Sequence, residues 1–277
     1  MDAGHAPGSG RGCCRAATAG CHRAYHQRAA QYAELLARHH VERVRATATS
    51  AARDASNGQA FFEAAQSVLG VRPELLSGQE EARLSFRGAT AGLPLEREPF
   101  LVIDIGGGST EFVLGRRQPE AGVSIDIGCV RMTERHLHGD PPGPAELSAC
   151  AADVAQLLST VREAIDVAAA RCVIGVAGTV TTIAALVRGL HHYDASRTHH
   201  MRLSRAQVQT QFDRLSSATV QARRSMLAES GRAEVIVGGA VVLLTLLREL
   251  DIPELLVSET DILDGLAMSL LEAPAGT

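Results

Sequence analysis

Phe100-Leu101-Val102-Ile103-Asp104-Ile105-Gly106-Gly107-Gly108-Ser109-Thr110-Glu111-Phe112-Val113-Leu114-Gly115 reads as two apolar strands joined by a turn of three glycines and two hydroxyl residues, with an acid on either side. Glycines lack a Cβ, so backbone N–H groups in such a turn approach an anion closely, and Ser109 and Thr110 add hydroxyl donors. Asp104 and Glu111 are hard oxygen ligands of the kind Mg²⁺ takes, and a bound cation would partly neutralise a polyanion held on the amides of Gly106, Gly107, Gly108, Ser109 and Thr110. The segment therefore predicts a phosphate site with a metal handle. Its strand-turn-strand context excludes two commoner phosphate motifs. A dinucleotide fingerprint opens a helix with G-x-G-x-x-G, and a P-loop ends in Gly-Lys-Ser/Thr.

Composition sets the limits around this motif. A chain of 277 residues with 45% apolar and 21% charged residues can bury a sizeable core in one large domain or two smaller ones. A net charge of −4 gives no basic field for nucleic acid, and 3% aromatics without Trp disfavour base stacking. An anionic substrate must then be drawn by local groups. The longest apolar stretch, Val235 to Leu247, is interrupted by Gly238 and Gly239 and is too short to span a bilayer, so it reads as a buried helix. No charged segment followed by an apolar run opens the chain, so a cytoplasmic location is expected, with reduced thiols at Cys129, Cys150 and Cys172. Cys13, Cys14 and Cys21 with His22 and His26 match no common zinc spacing, and the adjacent His39-His40, His191-His192 and His199-His200 pairs lack a completing ligand.

Along the chain, residues 1–25 lack hydrophobic periodicity and read as an unstructured tail. Helical spacing then covers Gln27 to Glu42, Asp54 to Leu69 and Gln79 to Ala91, with short strands over Val41–Thr49 and Val71–Leu76. After the hairpin come a strand near Val123–Ile127, a long alanine-rich helix from Ala145 to Ala170, and a strand Cys172–Val176 that runs into a helix at Gly178. Helices starting near Ser204 and Arg232, a strand Leu255–Val257 and a helix Asp261–Leu271 close the chain. Three strands followed by alternating helices and strands argue an α/β fold.

Four further motifs carry chemistry. Gly178-Thr179 lies where a strand turns into a helix, so its free N–H groups offer a second anion site, and Gly239 repeats that context more weakly. Gly78-Gln79-Glu80-Glu81-Ala82-Arg83-Leu84 places consecutive acids in the first turn of a helix, which by itself is ordinary helix-terminus electrostatics. In Thr49-Ser50-Ala51-Ala52-Arg53-Asp54-Ala55, Arg53 presents a planar donor fork suited to phosphate. Val257-Ser258-Glu259-Thr260-Asp261-Ile262-Leu263-Asp264-Gly265 sits where a strand meets the last helix, and Asp261 and Gly265 there fit capping and close packing.

The hairpin resembles the second phosphate-binding hairpin of the actin, sugar-kinase and heat-shock ATPase superfold. More narrowly, "DIGGGSTE" at 104–111 resembles the exopolyphosphatase and guanosine pentaphosphate phosphohydrolase family, and the resemblance runs over roughly residues 27–272. "SGQEEARL" at 77–84 is similar to that family's glutamate motif, which implies Glu81 as the acid that activates the attacking water. Glu80 would face elsewhere, because adjacent helical positions are about 100° apart. The resemblance implies that Arg53, Gly178, Thr179 and Gly239 line the substrate cleft and that Asp104 and Glu111 hold Mg²⁺ or Mn²⁺.

It also implies an α/β, two-lobed actin-like (RNase-H-like) fold, with an incomplete first lobe over residues 26–95 and a second lobe over 96–272. The implied reaction is hydrolysis of phosphoanhydrides, releasing orthophosphate from the end of inorganic polyphosphate, with guanosine pentaphosphate as the alternative substrate. A homodimer is the implied assembly, with neither nucleic acid nor membrane as partner. Family members open with a strand carrying an acid, a glycine and a Ser/Asn/Thr run, and no such segment is read here. That departure favours a third reading, a non-catalytic binder of polyphosphate or nucleotide. A sugar or acetate kinase of the same superfold would lack the paired-glutamate motif.

Overall fold

Strands covered on both faces show unbroken apolar runs, and Phe100–Ile105 and Thr110–Gly115 are of this kind, with nearly every residue buried. They are β3 and β4 in a chain whose other strands are β1 (Thr47–Ala48), β2 (Glu74–Leu75), β5 (Pro119–Ile125), β6 (Cys172–Val176), β7 (Arg202–Ser204) and β8 (Glu254–Val257). The helices are α1 (Ala19–Arg38), α2 (Gly58–Leu69), α3 (Gly78–Thr90), α4 (Cys129–His136), α5 (Pro144–Ala164), α6 (Ala177–Val187), α7 (Ala195–Thr198), α8 (Arg205–Ser216), α9 (Val220–Met226), α10 (Ile236–Glu249) and α11 (Ile262–Glu272). This computed structural model describes residues 19–48 and 58–272. Residues 1–18, with Cys13 and Cys14, and the segment 49–57, with Arg53, lie outside the described residues.

The described chain divides into two compact units, one made of the residues up to Ser77 together with those from Leu266, the other of Gly78–Gly265. In the smaller unit α1 and α2 pack together, Ala29, Phe62 and Ala65 are buried, and β1 pairs in parallel with β2. Arg45 reaches from beside β1 to the Glu74 carboxylate at 2.8 Å and donates to Ser269 Oγ at 2.8 Å.

The larger unit is built on a six-stranded sheet in the order β5-β4-β3-β6-β8-β7. The first three strands form an antiparallel meander, β6 and β8 add in parallel, and β7 returns antiparallel at the far edge. On one face lies α3, with Ala82, Phe86 and Ala89 against Phe100, Val102, Val113 and Ile174. The other face carries the main core, centred on α10, in which every residue from Ile236 to Leu247 is buried. The apolar stretch read as a buried helix is therefore the axis of this layer.

Several boundaries differ from the sequence expectation. Helix α1 starts at Ala19, ahead of Gln27, because neither Pro nor Gly stands between Cys21 and Arg38 to stop it. The strands expected over Val41–Thr49 and Val71–Leu76 shrink to two residues each, since Glu42, Arg43 and Arg45 interrupt the first and Pro73 the second. Four helices and strands were not expected at all: α4, α7, α9 and β7 are short, and local periodicity does not register at that length.

Helix α3 crosses the start of α11 at a pair of glycines. A Cβ on Gly88 would lie 1.8 Å from the Asp261 carbonyl oxygen, and one on Gly265 would lie 2.0 Å from the Leu84 carbonyl oxygen. Both clashes are with backbone, which cannot rotate away. Gly88→Ala is thus expected to cost about 3 kcal/mol, lowering Tm by roughly 6–12 °C. Differential scanning calorimetry checks this, and an unchanged Tm would mean the two backbones do not meet this closely.

Candidate active site

The register of the meander assembles the acids. Asp104 lies opposite Glu111 on β4, which lies opposite Ser124 on β5, so the three side chains form a row on the sheet face that carries α3. Ser124 Oγ donates to Glu111 Oε1 at 2.7 Å, and Glu111 is buried. From α3, Ser85 Oγ donates to Asp104 Oδ2 at 2.8 Å. Glu81 stands one turn before Ser85, and residues four apart share a helix face, so it is aimed at the same row. Glu80 turns aside to Arg83, with its carboxylate 2.9 Å from the guanidinium.

Negative charge gathers in this row. Burial first, and then the carboxylates of Glu111, Asp261 and Glu81, push the Asp104 pKa up from 3.8 to about 7, against the Ser85 hydrogen bond, which pulls it down. Three further acids thus bear on Asp104, and a cluster of carboxylates of this kind is a chemically suitable place for a hard cation. Among the described residues no group of three His, Cys, Asp or Glu side chains is placed to cage a metal. Two carboxylates with phosphate and water making up the shell suit Mg²⁺, which dehydrates reluctantly, better than zinc.

The glycine turn is held from behind by α4. The N–H groups of Cys129, Val130 and Arg131 donate to the carbonyls of Gly106 (3.0 Å) and Gly107 (2.9 and 3.1 Å), and Arg131 Nε donates to the Gly108 carbonyl at 2.6 Å. Gly128 lets the helix come this close, since a Cβ there would sit 2.4 Å from Gly107. With its carbonyls turned toward α4, the turn presents the N–H groups of Gly107, Gly108 and Ser109, which meet no backbone acceptor among the described residues. The remaining groups close the turn. Gly106 N–H donates to the Ser109 carbonyl at 3.0 Å, and the Thr110 hydroxyl donates to the Ile127 carbonyl.

The next strand along contributes a second turn. At the end of β6, Ala177 adopts φ +66°, a left-handed conformation costly for a residue with a Cβ, as α6 begins. Gly178 follows, and the Arg232 guanidinium lies over it so closely that a Cβ would fall 1.8 Å from Nη1. Arg232 Nε is tied to Glu229 at 2.8 Å, which leaves the outer edge of the fork toward Gly178. Thr179 is buried, and Gly239 packs directly on it, with a Cβ there 2.6 Å from Thr179 Oγ1. Gly239 thus allows α10 to approach α6, while Gly178 and Arg232 form the polar surface.

The structure therefore brings Glu81, Asp104, Glu111 and the Gly106–Thr110 turn together, and places Gly178 at the end of the neighbouring strand. Sequence reasoning missed Ser85, Ser124, Asp261 and Arg232. Ser85 was legible as the i+4 partner of Glu81. Asp261 was read as a cap, and its Oδ1 does accept from Leu263 N–H at 2.8 Å, while its charge also bears on Asp104. Ser124 and Arg232 left no signal, since β-register and a 3₁₀ turn (Ser230–Arg232) position them.

The model of the Ppx/GppA phosphatase family matches residues 18–273. Exopolyphosphatase 2 of Mycobacterium tuberculosis is 46% identical over 249 residues, covering 86% of this chain and 78% of that protein. Among solved structures, an exopolyphosphatase-like protein superposes with a TM-score of 0.89 at 36% identity, covering 92% of this chain and 86% of the other. The Aquifex aeolicus PPX-GPPA enzyme superposes with a TM-score of 0.78 at 29% identity, covering 92% and 84%.

Proposed function

The chain belongs to the Ppx/GppA phosphatase family, and from that premise we propose that it is an exopolyphosphatase, which hydrolyses the terminal phosphoanhydride bond of inorganic polyphosphate. The observation that carries this reading is the grouping of Glu81, Glu111 and Asp261 around Asp104 beside a glycine turn in which the N–H groups of Gly107, Gly108 and Ser109 meet no backbone acceptor among the described residues. The likeness to the Mycobacterium tuberculosis exopolyphosphatase 2 supports polyphosphate as the substrate. The fold is the α/β, actin-like one of the family.

The terminal phosphoryl group binds to the amides of Gly107, Gly108 and Ser109, which stabilise charge on its oxygens as the bond to the next phosphate lengthens. Gly178 and Arg232 receive the following phosphates. Glu81 accepts the proton of a water aimed at the terminal phosphorus, so that water oxygen bonds to phosphorus, the anhydride oxygen leaves with the shortened chain, and orthophosphate is released. Asp104 and Glu111 would hold Mg²⁺ or Mn²⁺, which when bound supplies counter-charge for the polyanion. Ser85 and Ser124 orient these two carboxylates.

Phosphate release measured in parallel with long-chain polyphosphate, guanosine pentaphosphate and ATP tests the reading. Polyphosphate is expected to be the preferred substrate, and excess chelator is expected to abolish release, with Mg²⁺ or Mn²⁺ restoring it. Preference for guanosine pentaphosphate would move the chain to the other activity of its family. Binding of polyphosphate without release would make it a binder, and full activity in chelator would remove the metal role of Asp104 and Glu111.

A further inference from the structure

The larger unit also has a concave surface rich in arginine, at the end of its sheet opposite the glycine turn. The acids and glycines stand where β3 and β6 finish. At their starting ends, and at that of β8, lies a cavity of about 340 Å³ lined by Arg97, Arg171, Cys172, Arg202 and Glu254. Phe100 pairs with Cys172 here and Asp104 with Val176 at the other end, so four residues of strand, roughly 13 Å, separate the cavity from the catalytic row.

Local structure places each arginine. Arg97 ends a 3₁₀ turn (Leu95–Arg97) just before β3. Arg171 precedes β6, its N–H donating to the Pro99 carbonyl at 2.9 Å. Arg202 opens β7 and pairs with Glu254 on β8. The Cys172 thiol at the cavity wall is raised by burial, pulled back down by Arg97 and Arg202 and pushed up by Glu254, the three charged groups that line the cavity with it and Arg171. Arg202 has Glu254 as counter-ion, whereas no acid is paired with Arg97 or Arg171 among the described residues. Three arginines against one glutamate leave a surplus of two positive charges in a concavity, on a chain whose net charge is −4.

Like charges held around one hollow repel unless an anion joins them, and a concave wall focuses their field. Guanidinium forks match the oxygens of phosphate in pairs. From this placement we propose that the Arg97–Arg171–Arg202 cavity is a second binding site for phosphate-type oxyanions, separate from the catalytic row. Its occupant is either a stretch of polyphosphate or a small free phosphate anion. The site does not depend on the catalytic reading above.

The test is isothermal titration with methylenediphosphonate, whose P–C–P bridge is not hydrolysed. Relative to wild type, the double variant R97Q/R171Q should lose one equivalent of bound ligand, or bind it at least tenfold more weakly. Both residues are exposed and lie outside the catalytic machinery. R188Q/R214Q, which removes the same charge from exposed positions elsewhere, should bind as wild type does. An unchanged titration for R97Q/R171Q, or an equal loss in R188Q/R214Q, overturns the proposal. Kinetics with tripolyphosphate and long-chain polyphosphate separate the two occupants. A KM raised for the long chain alone identifies the polyphosphate chain, and unchanged KM values alongside the lost equivalent identify a free anion. A protein without phosphatase activity would fail the kinetic assay in every form and still show the titration difference.

Discussion

Glu81→Gln is expected to lower phosphate release from polyphosphate by 10²–10⁴-fold, the range typical for loss of a general base, while substrate binding is kept. The amide matches the carboxylate in shape and cannot take a proton from water. Glu80→Gln, one residue away, should stay within about twofold, because Glu80 is paired with Arg83 on another face of α3 and a surface pair of this kind is worth at most about 1 kcal/mol. Steady-state kinetics of the two variants, with binding measured separately, decide the matter. Equal losses would transfer the role away from Glu81, and a Glu81→Gln enzyme near full activity would leave the water without its proposed base.

Asp104→Asn should move activity and stability in opposite directions. The Asp104 pKa is raised from 3.8 in the unfolded chain to about 7 in the fold, so between those values the native state holds a proton that the unfolded chain has released. Stability must then fall as pH rises from about 4 to 7, with no further loss from this group above that range. The displacement corresponds to at most about 4 kcal/mol, and solvent reaching the half-buried carboxylate reduces it. Asparagine stays neutral throughout and can still accept from Ser85. In the presence of chelator, wild-type Tm should decline from pH 5 to pH 8, while that of Asp104→Asn should stay nearly level and exceed wild type at pH 8. Mg²⁺ should raise the wild-type Tm at pH 8 and leave the variant unmoved, and turnover of the variant should be lost. Parallel Tm profiles for the two proteins would show that Asp104 does not carry the strained charge.

These two carboxylates also show how far local reading extends. The hairpin at 100–115 declared itself because its chemistry is contiguous: strands with unbroken apolar runs, a turn that needs glycine, and acids two residues either side of it. The β-register follows from such a turn, so the pairing of Asp104 with Glu111 was implicit in the string. The Glu81 motif was singled out by its likeness to the family's glutamate motif, and local periodicity adds that one helical turn brings Glu81 and Ser85 to a common face and sends Glu80 to Arg83. The buried run at 235–247 likewise needed only its composition to be placed in the core.

Other features have no local cause. Helix α4 is eight residues long, too short to be stable by itself, and its first N–H groups are satisfied by the carbonyls of the glycine turn. Gly128 serves a contact with Gly107 twenty-one residues back in the chain, and Gly88 one with Asp261. The raised pKa of Asp104 depends on burial first and then on acids from β4, the loop before α11 and α3. Arg232 reaches Gly178 across more than fifty residues of sequence, and Arg97, Arg171 and Arg202 line one cavity only because β3 and β6 start side by side and the antiparallel β7 runs along β8 beside them. Sequence by itself determined the turn chemistry, the helix that carries Glu81 and the buried axis, because propensity, periodicity and glycine geometry act within a few residues. Charge balance, close backbone crossings and the second arginine cavity were settled by tertiary structure, because electrostatic and steric terms depend on distance in space and take no account of distance along the chain.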